Sequence, residues 1–200
     1  MKKFAVFVCF LLTLLGVRAQ DEDGFQAYKR FWNKTDSAFK DPEKSPLSDA
    51  EISSFDTVPR FEFDPEYRIH SEWRDVKKSK PFYFKTTGNI KQKYRKVGIV
   101  KFNLKGEPCE LSVYKNLDLS KIQGFEDYLF VPYGDSSNGL ETYGGGKYLS
   151  LHAEPKDSLI LDFNQSYNPY CAYNDQYSCP IPPKENLLNV PILAGARSDH

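Results

Sequence analysis

Between residues 67 and 163 the chain is a succession of short runs rich in β-branched and aromatic residues, separated by glycine, asparagine and charged residues. Runs of this length and composition are typical of β-strands. Gly88-Asn89 and Lys105-Gly106 lie between neighbouring runs and predict hairpin turns. We therefore expect a mainly β fold of the α+β class, an antiparallel meander of about seven or eight strands that forms a barrel or a sandwich. The predicted strands are 67–73, 82–86, 90–97, 99–104, 110–114, 128–131, 147–152 and 159–163.

Two helices are predicted ahead of these strands. Residues 21–40 carry aromatic side chains at spacings that place them on one helical face, and acidic residues open the segment. Ser48 and Glu51 form a capping box, which predicts a second, short helix that ends near Phe55.

Residues 1–19 resemble a secretory signal peptide. Two lysines precede an apolar run over residues 4–17, and Ala19 completes a small-residue cleavage site. The run is shorter than the ~20 residues that a bilayer-spanning helix needs, so we expect cleavage and a soluble periplasmic or extracellular protein without a membrane span. The remaining chain is predicted to comprise an N-terminal helical segment, 20–44, and a single domain, 45–200.

The charge balance argues against a nucleic-acid partner. The chain carries 27 basic and 27 acidic residues, and its sequence contains no basic stripe. Proteins that bind nucleic acids or anionic membranes show clustered positive charge. We therefore expect a ligand or protein partner of the cell envelope, and the sequence contains no motif that predicts a cofactor.

A segment rich in asparagine, tyrosine and proline runs from Asp162 to Asn186. Prolines lack backbone donors and asparagine favours turns, so this segment is expected to be a long loop held by side-chain hydrogen bonds. Cys171 and Cys179 lie within it, and in an exported protein such a close pair most simply predicts a disulfide. A metal site is the less favoured alternative, because the spacing differs from that of zinc hairpins and no second Cys/His pair follows.

Four blocks in this order are shared with a known family: residues 61–69, 128–139, 141–149 and the loop 162–186. On these motifs the chain resembles the DUF1684 family of bacterial and archaeal proteins, over about residues 45–197. The resemblance implies a fold and a shared surface but no activity, since the family is one of unknown function. Lys147 stands where the family commonly has arginine, which weakens any bidentate recognition of an anion.

The run from Thr142 to Lys147 contains three consecutive glycines. A phosphate-binding loop would need two glycines four residues apart and then Lys-Ser/Thr, whereas Tyr148 follows the lysine here. We interpret the run as a tight turn or bulge that leads into the strand 147–152, with a ligand-facing turn as the alternative.

The C-terminal loop and the glycine turn hold most of the candidate ligand-binding residues. Amides and phenols on a fixed loop offer both hydrogen-bonding groups and stacking faces, which suits a glycan, a peptide or a small molecule. The same groups can instead cap turns and satisfy backbone donors. The predicted ligand-binding residues are Tyr143, Lys147, Asn164, Tyr167, Asn168, Tyr170 and Asn186.

Two functions follow from these features. The favoured one is an exported binding or structural module that acts in the cell envelope through its C-terminal loop. The alternative is a hydrolase-type enzyme with a site around Asp135, His152 and Asp162, because these residues lie in or beside the motif strands and could converge at one end of the sheet. No nucleophile signature such as Gly-x-Ser-x-Gly supports the enzyme. A metal shared by His70, His152 and a carboxylate is a further arrangement that the sequence leaves open.

Overall fold

The structure, a computed structural model, describes residues 22–198. Residues 22–39 form helix α1, and Asp49–Ser54 form the short helix α2, so both predicted helices are confirmed. The predicted signal peptide, residues 1–19, lies outside the described residues. Within residues 22–198 no helix is long and apolar enough to cross a lipid bilayer.

The capping box at α2 forms as predicted. The Ser48 hydroxyl accepts a hydrogen bond from the Glu51 backbone N–H at 3.4 Å, and the Glu51 carboxylate accepts one from the Ser48 N–H at 2.8 Å. Each residue thereby satisfies a backbone donor that the first helical turn leaves unpaired.

Seven strands form one antiparallel sheet that curls into a half-barrel. Their order across the sheet is β6-β5-β4-β3-β1-β7, and β2 pairs with β3 outside this path. The mainly β architecture is confirmed, and the choice between barrel and sandwich is resolved as a partly closed barrel. The strands are β1 Arg68–Asp75, β2 Phe82–Tyr83, β3 Lys93–Leu104, β4 Glu107–Asn116, β5 Tyr128–Tyr133, β6 Lys147–His152 and β7 Ser158–Asp162.

The predicted strands 90–97 and 99–104 are a single strand, β3, with a bulge. Its register with β4 shifts between Lys96 and Gly98. A Cβ atom at Gly98 would lie 2.0 Å from the Trp73 ring, so glycine lets the bulged strand lie directly against that ring. Gly98 therefore marks a close approach inside one long strand rather than a break between two.

The turn at Lys105-Gly106 is confirmed. Both residues adopt positive φ angles, 52° and 89°, as a two-residue hairpin turn between β3 and β4 requires. Gly88-Asn89 differs, because it lies inside a longer connection between β2 and β3.

Alternate residues of the strands serve two apolar clusters on opposite faces of the sheet. Leu129 and Val131 of β5 pack in the main core, whereas Phe130 packs in a second, aromatic cluster. Leu149 and Tyr148 of β6 divide in the same way. The period of two follows from the pleat of a strand, and the aromatic cluster is the face that the C-terminal segment and α1 cover.

The segment after β7 is irregular, as predicted, and contains three short 3₁₀ turns: Phe163–Gln165, Tyr170–Ala172 and Lys184–Asn186. Its backbone lies along the edge of the sheet at Tyr167, which pairs with Tyr148 of the edge strand β6 through two backbone hydrogen bonds. Helix α1 is fastened to the same segment, because the buried Trp32 Nε1 donates to the Asn164 carbonyl at 2.9 Å.

Candidate functional site

A cavity of about 680 Å³ opens between α1, the aromatic face of the sheet and the C-terminal segment; we call it the aromatic cleft. Its sheet wall comprises Tyr94, Phe130, Tyr148 and Ser150, and its C-terminal wall includes Tyr167, Asn168, Tyr170, Tyr177 and Cys179. Three of the residues predicted to bind a ligand therefore meet in one place: Tyr167, Asn168 and Tyr170.

Helix α1 forms a third wall of the cleft. Among the helix residues that line the cleft, four are spaced three and four apart: Phe31, Lys34, Thr35 and Ala38. This spacing places them on one face of the helix. The Phe31 ring lies 6.3 Å from the Tyr167 ring, which connects the helix wall with the C-terminal wall. The sequence predicts the amphipathic helix, but the cleft exists only because this face is not fully packed against the sheet.

Three hydroxyl groups form a chain beside the cleft. The Tyr128 hydroxyl lies 2.7 Å from Ser150 Oγ, which lies 2.5 Å from the Tyr167 hydroxyl. Burial, followed by the neighbouring Tyr128, raises the pKa of Tyr167 well above its usual value, so this phenol remains protonated over the physiological range. The chain places polar hydroxyl groups beside the aromatic side chains of the cleft.

Asn168 brings a buried amide into the same site. Its Nδ2 donates to the Tyr173 hydroxyl at 3.3 Å, whereas its Oδ1 has no hydrogen-bond partner within residues 22–198. Buried polar atoms are nearly always paired, so this enclosed oxygen in the wall of the cleft is an exception among the described residues.

Asn164 has a structural role in the fold. It is fully buried, and its Oδ1 accepts from the Asp64 N–H at 2.9 Å. Its Nδ2 donates to the Asp64 carbonyl and to Asp162 Oδ1, both at 2.9 Å. With both ends of the amide occupied, Asn164 joins the segment before β1 to the end of β7 and offers nothing to a ligand.

Asn186 fills a gap in the sheet. Strands β4 and β5 share a single residue pair, Tyr114 with Phe130. Beyond that pair the Asn186 side chain lies between the strands: its Oδ1 accepts from the Ser112 N–H at 2.7 Å, and its Nδ2 donates to the carbonyls of Ser112 and Pro132 at 2.9 and 2.8 Å. Pro132 has no N–H with which to continue a ladder, so the amide replaces the missing strand contacts.

Lys147 is also fully buried, although the sequence suggested a ligand contact. Its Nζ donates to the carbonyls of Ile192 and Ala194 at 2.8 and 3.1 Å and lies 3.9 Å from Asp135 Oδ2. Burial lowers the pKa of Lys147 to about 8, and the Asp135 carboxylate acts in the opposite direction. These contacts hold the segment around Ile192 and Ala194 against the half-barrel.

The glycine turn before Lys147 has the structural role that we favoured. Gly146 has a φ of +84°, and a Cβ atom there would lie 2.5 Å from the Tyr133 carbonyl oxygen. Only glycine fits such an approach without displacement of the backbone. Tyr143, at the start of the turn, lies outside the cleft lining, with its hydroxyl 4.0 Å from Cys171 Sγ.

The structure does not bring Asp135, His152 and Asp162 together. His152 pairs with Tyr128 at one end of the β5–β6 ladder, whereas Lys147, the partner of Asp135, pairs with Tyr133 at the other. His152 lies five residue steps along β6 from Lys147, about 17 Å at ~3.4 Å per step. Asp162 caps the first 3₁₀ turn after β7 through the Asn164 N–H. The predicted convergence at one end of the sheet is therefore absent.

The carboxylate partner of His152 is Asp127, which the sequence reasoning missed. His152 Nδ1 lies 2.8 Å from Asp127 Oδ1, and this hydrogen bond is the main cause of the lowered pKa of Asp127. Asp127 directly precedes Tyr128, so the antiparallel register of β5 and β6 was the signal that could have identified it. His70 and His152 both line a second, shallow depression. Residues 22–198 contain no cluster of three His, Cys, Asp or Glu residues suited to a metal ion.

The predicted disulfide between Cys171 and Cys179 is not present in the structure, where both residues are free thiols. They are nevertheless neighbours, because the Cys171 backbone N–H donates to Cys179 Sγ at 3.2 Å. Burial, followed by the hydrogen bond with the Cys171 side chain, raises the pKa of the Cys179 thiol to about 12. A thiol with so high a pKa is a poor nucleophile near neutral pH, although it lines the aromatic cleft.

The half-barrel and its aromatic cleft define a β-rich protein with a cavity of the size of a small ligand. The chain belongs to the DUF1684 family, described as "Protein of unknown function", whose model matches residues 53–197. This confirms the resemblance drawn from the motifs. The structure is similar to the solution NMR structure of the uncharacterised protein from gene locus rrnAC0354 of Haloarcula marismortui, with 31% identity and a TM-score of 0.73 over 90% of this chain and 97% of that one. No curated protein matches the chain.

Proposed function

We propose that this protein is an exported, soluble module that binds an apolar small molecule of the cell envelope in its aromatic cleft. The observation that carries the proposal is the cleft itself, a cavity of about 680 Å³ lined mainly by aromatic side chains. Binding sites for small molecules usually measure about 300–1,000 Å³ and combine apolar walls with a few polar groups. The cleft has this composition, because a few polar side chains interrupt its aromatic walls, among them Lys34, Gln92, Ser150 and Asn168.

A small molecule suits the cleft better than the glycan or peptide that the loop composition also allowed. Recognition of a sugar requires many free hydrogen-bonding side chains. Asn164 and Asn186, which the sequence offered for that purpose, use their amides within the fold. The aromatic faces remain, and they favour a flat or apolar ligand.

Filling the cleft tests the proposal. Ala38 lines the cleft, and the change Ala38→Phe places a ring in the space that a ligand would occupy. We expect the neutral fluorescent probe phenylnaphthylamine to bind the wild-type protein, and Ala38→Phe to weaken that binding at least about tenfold, a loss of ~1.4 kcal/mol. Fluorescence titration measures both affinities.

Ala27→Phe is the matched control, because Ala27 lies on the same helix and outside the cleft lining. The helix propensity cost of the two substitutions is the same, and this control is expected to retain wild-type affinity. No binding by the wild-type protein, or equal binding by wild type and Ala38→Phe, would contradict the proposed function.

Export and oxidation of Cys171 and Cys179 form part of the proposal. The support for export is the signal-like sequence of residues 1–19, and the support for the disulfide is the short Cys171 N to Cys179 Sγ distance of 3.2 Å. Oxidation removes two protons and two electrons from the pair, which an oxidant such as dioxygen or a disulfide-exchanging protein must accept. The bond would staple the C-terminal wall of the cleft.

The intact mass of protein purified after export, without added reductant, tests both points. We expect a chain that begins at Gln20 and is lighter by the mass of two hydrogen atoms, a difference that returns when reductant is added. A chain that retains residues 1–19 would contradict export, and an unchanged mass on reduction would contradict the disulfide.

A further inference from the structure

The charge of the aromatic cleft is carried by one side chain. Among the described residues that line it, Lys34 is charged, and none is an aspartate or glutamate. Lys34 is exposed and takes part in no ion pair within residues 22–198. An unneutralised ammonium group at the rim of an apolar cavity attracts an anion, because the low polarity of the walls leaves the charge less screened than in bulk water.

The helix positions Lys34 beside the C-terminal wall. The Phe31 ring lies 6.3 Å from the Tyr167 ring, and Lys34 follows Phe31 by three residues on the same helical face. A ligand that lies against Phe31 and Tyr167 is therefore within reach of the flexible lysine side chain.

The hydroxyl chain adds a donor for the same ligand. The three hydroxyls of Tyr128, Ser150 and Tyr167 carry one O–H hydrogen each, and the two hydrogen bonds between them use two of the three hydrogens. One O–H hydrogen of the chain therefore remains, and when it lies on Ser150 or Tyr167, which line the cleft, it can be donated to a ligand. An anionic oxygen is the strongest acceptor that a ligand could offer.

From these two features we infer that the ligand of the aromatic cleft is a flat, apolar molecule with one acidic group, a carboxylate or a sulfonate-like anion, whose charge is bound by Lys34. The inference deepens the proposed function and rests on it. The rings occupy the aromatic walls, and the acidic group lies toward the rim of the cleft, where Lys34 is exposed. A cationic group is disfavoured beside Lys34, because two positive charges repel and the cleft lining offers no carboxylate to neutralise them.

Two probes with the same rings distinguish binding in the aromatic cleft from recognition of an acidic group by Lys34. Anilinonaphthalene sulfonate is phenylnaphthylamine with a sulfonate added, so the pair differs by one anionic group. We expect the wild-type protein to bind the sulfonate about three- to tenfold more tightly than the neutral compound at low salt. Added sodium chloride should reduce this preference, because salt screens an exposed charge.

The change Lys34→Met keeps the apolar stem of the side chain and removes its charge. We expect this variant to lose the preference for the sulfonate and to retain its affinity for phenylnaphthylamine within about twofold. Lys40→Met is the matched control, because Lys40 is an exposed lysine at the end of the same helix and outside the cleft lining; it should behave as wild type. Circular dichroism confirms that each variant is folded.

The outcomes distinguish the two proposals. Failure of both probes to bind the folded wild-type protein overturns the proposed function. Binding of the neutral probe with no preference for the sulfonate, or a preference that Lys34→Met leaves unchanged, overturns the inference about the acidic group while the cleft remains a binding site.

Discussion

Raising the pH above about 10 is expected to unfold this protein, because its core buries tyrosines that cannot ionise in place. Four tyrosines combine an exposure of less than a tenth with a raised pKa, and burial is the main cause of the shift in each. The pKa of Tyr94 is raised to about 12, and the pKa values of the other three tyrosines are also raised well above the usual 10. These residues are Tyr94, Tyr114, Tyr133 and Tyr148.

The direction of the effect follows from proton linkage. A tyrosine with a raised pKa in the folded state stabilises the fold fully below its unfolded pKa of about 10, and that stability is lost as the pH rises toward the folded value. Each such group costs about 1.4 kcal/mol per pH unit above 10, so the four together remove about 5 kcal/mol at pH ~11. This is comparable with the whole stability of a typical domain, about 5–15 kcal/mol. Lys147 has the opposite effect, because its pKa is lowered to about 8 in the folded protein. It therefore adds stability as the pH rises from about 8 to its usual pKa of 10.5. It is a single group, whereas four tyrosines remove stability at higher pH.

Urea unfolding at a series of pH values measures this loss, and the ultraviolet absorbance of tyrosinate should rise in the same narrow interval as the fold is lost. Tyr94→Phe is expected to reduce the slope of the unfolding free energy against pH, above pH ~10, by the equivalent of about one proton. Tyr83→Phe, at a site that is 56% exposed, should leave this slope unchanged. Gradual titration of all tyrosines near pH 10 with the fold retained would contradict this account.

The change Asn186→Leu should destabilise the protein by about 4–5 kcal/mol. Leucine has a similar size but no hydrogen-bonding group, so the N–H and carbonyl of Ser112 and the carbonyl of Pro132 lose their partner. A buried polar group left unpaired costs about 1–3 kcal/mol, and three such groups lie at this one position between β4 and β5. Chemical denaturation measures the loss, and amide hydrogen exchange should show faster exchange at Ser112.

Asn103 offers a matched control for the same substitution. Its Oδ1 accepts from the Gly106 N–H at 2.9 Å in an exposed hairpin turn, where water can replace the bond. Asn103→Leu is therefore expected to cost about 1 kcal/mol or less. Similar losses for the two variants would mean that Asn186 does not bridge the strands.

Short-range features of this chain were predictable because each depends on a few neighbouring residues. The capping box joins Ser48 and Glu51, and the turn at Lys105-Gly106 needs only the backbone freedom of its own residues. The alternation along β5 and β6 follows from the pleat, so the predicted strands 128–131 and 147–152 agree closely with the observed strands. The same reasoning placed Tyr167, Asn168 and Tyr170 on a loop that forms one wall of the cleft.

The roles of the polar side chains were not predictable in this way. Asn168 and Asn186 are the same amino acid in the same loop, yet one lines the cleft and has an unpaired, enclosed oxygen, and the other bridges two strands. The two differ because Asn186 meets Ser112, which lies 74 residues earlier in the chain. Sequence spacing does not reveal a contact of this kind. His152 likewise pairs with Asp127 across a ladder rather than with Asp135, because strand register determines which carboxylate it meets.

The sequence by itself determined the family, the mainly β class, the helices, the hairpin turn and the irregular C-terminal loop, because local propensity, periodicity and motif order specify them. Only the tertiary structure decided that Lys147 is a buried cation held by the chain's own carbonyls, and that Lys34 lies at the rim of an aromatic cleft. The physical reason is that burial and pairing depend on the folding of distant segments against one another, so one lysine is enclosed by carbonyl groups and another stays exposed beside a cavity.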